Sequence, residues 1–339
     1  MRALYIVEPG RVELREIERP SPGAEQVLLR VGIVGFCGGD LNAFRGTMPM
    51  QRYPMILGHE IGATIEQVGS DVPANIRPGM KVTVSPYESC GVCPACRRGR
   101  VNACRDNRTM GVRRDGAMTE YVVVSWRDVY PGEKLSLKEL ALVEPLTVGF
   151  HGAQRGEVTA SDRVMVFGCG LVGLGAIADS AARGAEVISV DIDDNKLEIA
   201  RKAGARHTIN PSKVDLHEVV AQLTNGDGPD VVIEAVGRAE TFIAAVEEVA
   251  FTGRVVYIGY ANEPVQYQTK LFVQKELDIR GSRNCLGDFP RVIKLLEAGR
   301  FPVDDVITEI VPLEKAGQAL QRWSKSRAGI TKIMVRIAE

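Results

Sequence analysis

Four of the chain's seven cysteines fall between Cys90 and Cys104, as Cys90-x-x-Cys93-x-x-Cys96 followed by Cys104. Four thiolates at that spacing can close a tetrahedral zinc site with no open position, which makes such a site structural. Gly91, Pro94 and Gly99 let a short loop curl around the ion, and metal binding would order a loop that lacks its own core. Cys37, Cys169 and Cys285 are dispersed, so each is read separately. Cys37 stands in Gly35-Phe36-Cys37-Gly38-Gly39-Asp40, the pair His59-Glu60 follows Leu57-Gly58, and Glu144 precedes Pro145-Leu146. A thiolate, an imidazole and a carboxylate form a three-ligand set that leaves a zinc position open for water or a substrate oxygen. A zinc there would be a Lewis acid, polarising a carbonyl or lowering the pKa of a hydroxyl. Taken singly, a cysteine is more often a core residue and a loop histidine a satisfied polar one.

A second constellation follows Phe167: Gly168-Cys169-Gly170-Leu171-Val172-Gly173. In a chain with 35 glycines, Gly-x-Gly-x-x-Gly can arise by chance. Its context is more specific, because it follows a strand-like run and opens a helical one. The first glycine makes the turn, the second lets the backbone approach a pyrophosphate, and the third lets helix pack on strand. The helix N-terminus offers the phosphates free N–H groups and partial positive charge. Asp191 ends the next apolar run, eighteen residues after Gly173. A carboxylate there can bind both ribose hydroxyls of NAD and repels the 2′-phosphate of NADP. Lys196 can flank the adenosine ribose. The bland alternative is a helix-capping Asp191 and a solvated Lys196.

These residues need elements to hold them. The first 135 residues or so read as β-rich, with strand-like runs at 26–33, 61–68, 81–85 and 118–124 broken by glycine and proline. From about residue 160 the texture changes to apolar runs at 163–167, 186–190, 231–234 and 254–258. Helical patterns at 172–183 and 195–203 lie between them. That alternation predicts a parallel sheet with crossover helices. The tail, 330–337, reads as a strand. The expectation is an α/β chain: a catalytic domain over 1–150 with the cysteine lobe, a dinucleotide-binding domain over 151–285, and a return to the first domain over 286–339.

Bulk properties exclude several classes. The formal net charge is -1, which favours neither nucleic acid nor an anionic membrane. No apolar run is long enough to span a bilayer. The opening residues lack the apolar stretch of a signal peptide and meet Glu8 and Pro9 early. A cytoplasmic location is expected, where clustered cysteines more often hold metal than form disulfides.

Together the motifs, their order and their spacing resemble the zinc-dependent medium-chain dehydrogenase/reductase (alcohol dehydrogenase) family along essentially the whole chain. The closest flavour is the polyol and sugar-acid branch of sorbitol, threonine and L-galactonate dehydrogenases. The resemblance implies a GroES-like β-rich catalytic domain and a Rossmann domain with a doubly wound parallel sheet. It also implies one structural and one catalytic zinc per chain, NAD, a small-molecule alcohol or carbonyl substrate, and a homodimer or homotetramer. Mapped onto this chain, Cys37, His59 and Glu144 surround the catalytic zinc. Glu60 is either a ligand in some states or stands behind the ligands, and Asp40 orients the zinc-bound histidine.

The chain departs from the family pattern in two places. Relatives often carry Ser or Thr directly before the Asp of the first motif and His two residues after it. Here these are Gly39 and Asn42. The usual proton route is interrupted at both, leaving a water chain or Glu60 to carry the proton. Gly281-Ser282-Arg283-Asn284 resembles the L-galactonate-type branch, and Arg283 suits a bidentate contact with a sugar-acid carboxylate. It equally suits the cofactor or a surface Asp. Asn284 and Asn42 suit a hydroxylated ligand. His151, His207 and His217 read as structural or surface residues, and Cys169 and Cys285 as packing residues. Competing readings are L-threonine 3-dehydrogenase, a zinc-free quinone or enoyl reductase, and an NAD-binding relative without turnover. The full Cys37/His59/Glu144 set and the cysteine lobe argue against the zinc-free enzyme.

Overall fold

A computed structural model of the chain describes residues 1–48, 52–261, 263–326 and 329–338. They divide into two compact units. The first comprises Met1–Glu144, Phe289–Ala298 and Ile307–Glu339, and the second Pro145–Asp288 and Gly299–Val306. The boundaries expected at 150/151 and 285/286 therefore shift. Residues 145–150, 286–288 and Gly299–Val306 group with the second unit. In that unit Lys202 pairs with Asp305 at 2.7 Å. The first boundary falls inside the helix Leu137–Arg155, where the sequence suggested no element. Pro145 lies within it and has no N–H for the helical ladder, which hides the helix from a pattern search.

The first unit is built on a seven-stranded sheet. Its central strand, Gln26–Gly35, pairs antiparallel with Glu60–Val68, Tyr121–Ser125 and Lys332–Arg336. With partners on both sides and burial along nearly its whole length, this strand is rich in Val, Leu and Ile rather than alternating. Its pairing with Glu60–Val68 sets Gly35 opposite Glu60, and its pairing with the terminal strand sets Gly35 opposite Met334. Three distant stretches thus converge where Gly35 leads into Cys37. A smaller sheet joins Arg2–Glu8 to Arg11–Glu16 and to Met55–Ile56, the segment just before His59.

The second unit has a six-stranded, all-parallel sheet. The strand order is His207–Ile209, Glu186–Val190, Arg163–Phe167, Val231–Glu234, Arg254–Tyr257 and Asp278–Gly281. Arg163–Phe167 lies between Glu186–Val190 and Val231–Glu234, so the winding reverses at its carboxyl end. Ligands bind at such a switch point in open α/β sheets. Among the described residues, no helix is long and apolar enough to cross a membrane.

The glycine turn sits at that switch point. Gly168 has φ +91°, a left-handed conformation that suits glycine. A Cβ on Gly173 would lie 1.8 Å from the Gly168 carbonyl oxygen, so the helix Leu171–Ala182 packs on the turn only without a side chain there. Gly173→Ala should therefore lower stability by about 1–3 kcal/mol, the usual range for overpacking. It should also raise the KM for the dinucleotide. Unchanged melting and KM would contradict the close approach.

Candidate active site

Cys37 caps the helix Gly38–Arg45. Its Sγ accepts from Gly39 N at 3.0 Å, and its own N–H donates to Asp40 Oδ2 at 2.8 Å. This reciprocal cap, with cysteine in place of the usual Ser or Thr, fixes both the sulfur and the Asp40 carboxylate. His59 is fixed from the other side by its neighbours. Ala117 N donates to Gly58 O and Met118 N to Leu57 O, both at 2.9 Å.

Cys37 Sγ, a His59 ring nitrogen and a Glu60 carboxylate oxygen all lie within 4.8 Å of one another. Glu144 falls outside that tight set and accepts a hydrogen bond from the Tyr87 hydroxyl. It belongs to the same field, because its charge acts on His59 and His59 acts on it. Asp40, Glu60, Glu144 and His59 are all buried. Burial opposes charge on the His59 imidazole, but Cys37, Asp40 and Glu144 outweigh it and hold the pKa well above the ordinary histidine range. Burial also pushes the Asp40 and Glu144 carboxyls up, with His59 pulling both the other way.

A cation fits this nest. His59 Nδ1 is buried with no hydrogen-bond partner among the described residues. An unsatisfied imidazole nitrogen beside a thiol and carboxylates matches the N, S and O donors of zinc. One cation is already built in. Lys332, opening the terminal strand, bonds Glu60 Oε2 at 2.6 Å, Glu60 Oε1 at 2.8 Å and the Phe36 carbonyl at 2.9 Å. Sequence reasoning missed both Lys332 and Tyr87. A lysine heading an apolar strand looks like a solvated end until the sheet places it against Glu60.

The cysteine lobe is equally compact. The sulfurs of Cys93 and Cys96 lie 3.5 Å apart, those of Cys90 and Cys104 3.5 Å, and those of Cys93 and Cys104 3.9 Å. Four sulfurs at about 2.3 Å from a tetrahedral zinc would stand about 3.8 Å apart. Backbone N–H groups of Cys96 and Arg105 draw the Cys93 thiol down to about 6, towards the thiolate a metal needs.

In the second unit, Gly170 caps the helix Leu171–Ala182 without a side-chain hydrogen bond, and a Cβ there would meet nothing within 4 Å. Open space before unblocked first-turn amides is the cradle a pyrophosphate needs. Leu171 and Val172 begin that first turn. Asp191 is locked beside it, its Oδ2 accepting from Cys169 N at 2.7 Å and its Oδ1 from Asp193 N at 3.0 Å. Lys196 is close enough for its charge to act on the buried Cys169. Arg283 and Asn284 follow the strand Asp278–Gly281, with Asn284 at φ +52°. Asn42 lies on the helix that Cys37 caps. His207 pairs with Glu186 and His217 with Glu248, while His151 is buried 3.8 Å from Asp288.

A thiolate–imidazole–carboxylate cluster in a β-rich unit and a glycine turn at a parallel-sheet switch point define a metal-assisted, dinucleotide-linked oxidoreductase. Comparison with known proteins gives the family. Residues 23–134 match the alcohol dehydrogenase GroES-like domain and residues 172–298 the zinc-binding dehydrogenase domain. The chain is 31% identical to Escherichia coli L-galactonate-5-dehydrogenase, over 95% of each chain. It is 31% identical to Bacillus subtilis sorbitol dehydrogenase, over 99% of this chain and 97% of that one. The crystal structure of an Escherichia coli CFT073 alcohol dehydrogenase, RspB, complexed with NADH superposes with a TM-score of 0.91. Its identity is 30%, over 99% of both chains. The chain belongs to the zinc-dependent medium-chain dehydrogenases, the zinc-type alcohol and polyol dehydrogenases.

Breaking a buried ion pair by removing one partner costs about 3–5 kcal/mol. Lys332→Met should lose stability on that scale in denaturant unfolding, with Lys332→Arg retaining most of it. Equal midpoints for Lys332→Met and the parent chain would show that Glu60 does not need its counter-ion.

Proposed function

We propose that the chain oxidises a secondary alcohol of a polyol, sugar or sugar acid with NAD, and runs the reverse reduction. The observation that carries this reading is the convergence of Cys37, His59 and Glu60 within 4.8 Å, with Glu144 in the same field. Cys37, His59 and Glu144 would hold the catalytic metal, with Glu60 at its border on the arm of Lys332. Zinc bound there supplies a Lewis acid for the alcohol or carbonyl oxygen. Asp40 acts behind the ligands by fixing the Cys37 cap and adding negative charge beside His59. Cys90, Cys93, Cys96 and Cys104 would hold the structural zinc.

Gly168, Gly170 and Gly173, with the amides of Leu171 and Val172, cradle the pyrophosphate of NAD. Asp191 takes the adenosine ribose and Lys196 flanks it. NAD bound there would accept the carbinol hydrogen as hydride while the hydroxyl proton passes to solvent, for an overall balance of ketone, NADH and H⁺. Gly39 and Asn42 offer no titrating group, so water or Glu60 carries that proton. Asn42, on the helix that Cys37 caps, serves as a substrate contact. The family resemblance supports a cytoplasmic homodimer or homotetramer.

The test is a screen of polyols, aldonates and L-threonine with NAD and with NADP, following the reduced cofactor, beside metal analysis. The expected result is two zincs per chain and a preference for NAD. Cys37→Ser should keep the structural zinc, lose the catalytic one and lower kcat/KM by at least about a thousand-fold, the loss of several kcal/mol of Lewis-acid stabilisation. Normal turnover by Cys37→Ser would sink the metal assignment. Glu60→Gln separates the proton routes: an unchanged oxidation rate across pH leaves the water chain.

A further inference from the structure

Glu234 ends the strand Val231–Glu234, which lies in the parallel sheet directly beside Arg163–Phe167. Its side chain is fully buried, and it belongs neither to the zinc cluster nor to the ribose contact. One oxygen, Oε1, accepts three hydrogen bonds, from Val236 N, Gly237 N and Thr241 Oγ1, each at 2.8 Å. Thr241 stands in the first turn of the helix Ala239–Glu248, whose N-cap, Arg238, makes no side-chain cap bond. A single atom therefore ties together the end of a strand, the turn that follows it and the start of the next helix.

The main chain locks the same corner. The Glu234 carbonyl accepts from Ile258 N at 2.9 Å and from Gly259 N at 3.1 Å, which brings in the residues after the strand Arg254–Tyr257. A Cβ on Gly259 would lie 2.5 Å from Glu234 Oε2 and 2.5 Å from Gly237 N, so the two turns close around the carboxyl. Oε2 is buried with no hydrogen-bond partner among the described residues. Burial pushes the carboxyl up, against the pull of the Gly237 amide and the Thr241 hydroxyl. The cost of burying the group is offset at Oε1, which gives the Val236 and Gly237 amides their acceptor.

The turn so held, 235–237, lies against the glycine turn. Ala235 N donates to Phe167 O at 2.9 Å. A Cβ on Gly168 would lie 2.8 Å from Val236 Cγ2 and 3.3 Å from the Ala235 carbonyl carbon. The crevice at a switch point opens beyond the carboxyl ends of the neighbouring strands, so the turns that leave those strands bound it. Here they are the glycine turn, after Arg163–Phe167, and 235–237, after Val231–Glu234. Val236 leaves an apolar side chain 43% exposed on the second of them.

We propose that Glu234 is a positioning residue for the dinucleotide: it holds turn 235–237 against the glycine turn, and so fixes the second wall of the crevice and the affinity for the cofactor. The inference rests on the reading of the glycine turn as an NAD site and deepens it. Glu234 acts through the turn. Loss of its acceptor frees the Val236 and Gly237 amides, and the wall relaxes away from Gly168. A side-chain amide keeps an acceptor oxygen in the same place, so Glu234→Gln holds the turn where Glu234→Ala cannot.

The test titrates NADH into the zinc-loaded parent and variants by fluorescence, with unfolding followed separately in the absence of cofactor. Glu234→Ala should weaken NADH binding about ten- to hundred-fold, the scale of leaving buried N–H groups unpaired. Glu234→Gln should stay within about three-fold of the parent, because the acceptor is kept. With an alcohol that the parent turns over, the loss in Glu234→Ala should fall on KM for NAD rather than on kcat or on KM for the alcohol. Where Glu234→Ala does not fold, Thr241→Val removes one donor and should weaken NADH binding about two- to ten-fold, the worth of one hydrogen bond. Unchanged NADH affinity in a folded Glu234→Ala, or in Thr241→Val in its place, overturns the inference. So does Glu234→Gln binding as weakly as Glu234→Ala, or a loss shared equally by kcat and both KM values. NADH bound by the parent and lost in Glu234→Ala, with no alcohol turned over, leaves the positioning role standing and contradicts the dehydrogenase reading instead.

Discussion

Cys37, Asp40, Glu60 and Glu144 bring four acidic groups to one interior point around His59. Each uncompensated charge in such a place costs several kcal/mol, so the acids must share cations or stay protonated. The fold provides one cation covalently, Lys332, against Glu60. The upward shifts at Asp40, Glu144 and His59 all express this demand. Burial pushes the Asp40 and Glu144 carboxyls up, and Cys37, Asp40 and Glu144 push the imidazole up against its own burial. A single zinc ion would satisfy the same groups, since its N, S and O donors are those gathered here.

That constraint explains why three remote stretches meet at Gly35. The central strand delivers Cys37, the strand beginning at Glu60 delivers the His59–Glu60 pair, and the terminal strand delivers Lys332. The Cys37/His59/Glu60 cluster is therefore a product of sheet register. A one-residue slip would turn Lys332 to the opposite face and leave Glu60 buried without its partner. The second unit solves its own problem differently, by leaving space: Gly170 blocks nothing and Gly173 permits contact where a side chain would collide.

Much of the parallel-sheet unit was legible because buried strands read as short apolar runs. Arg163–Phe167, Glu186–Val190 and Val231–Glu234 appear in the fold at the expected residues. The cysteine lobe was legible because ligands spaced by two residues can meet only over a turn. The helix Leu137–Arg155 was not, because Pro145 interrupts its pattern and a proline in a helix is tolerated only through tertiary packing. Tyr87 and Lys332 were invisible for a related reason: each gains its role from a partner more than fifty residues away.

The sequence by itself determined the chemistry available to this chain: four thiols for a closed site, a thiol, imidazole and carboxylates for an open one, and a glycine turn before a helix. Those depend on residue type and local spacing. Tertiary structure alone decided that Glu60 joins the tight cluster while Glu144 is held by Tyr87, and that Lys332 is buried on Glu60. Such outcomes depend on register between distant strands and on loops strapped across them. Charge and burial act through distance in space, which the order of residues does not specify.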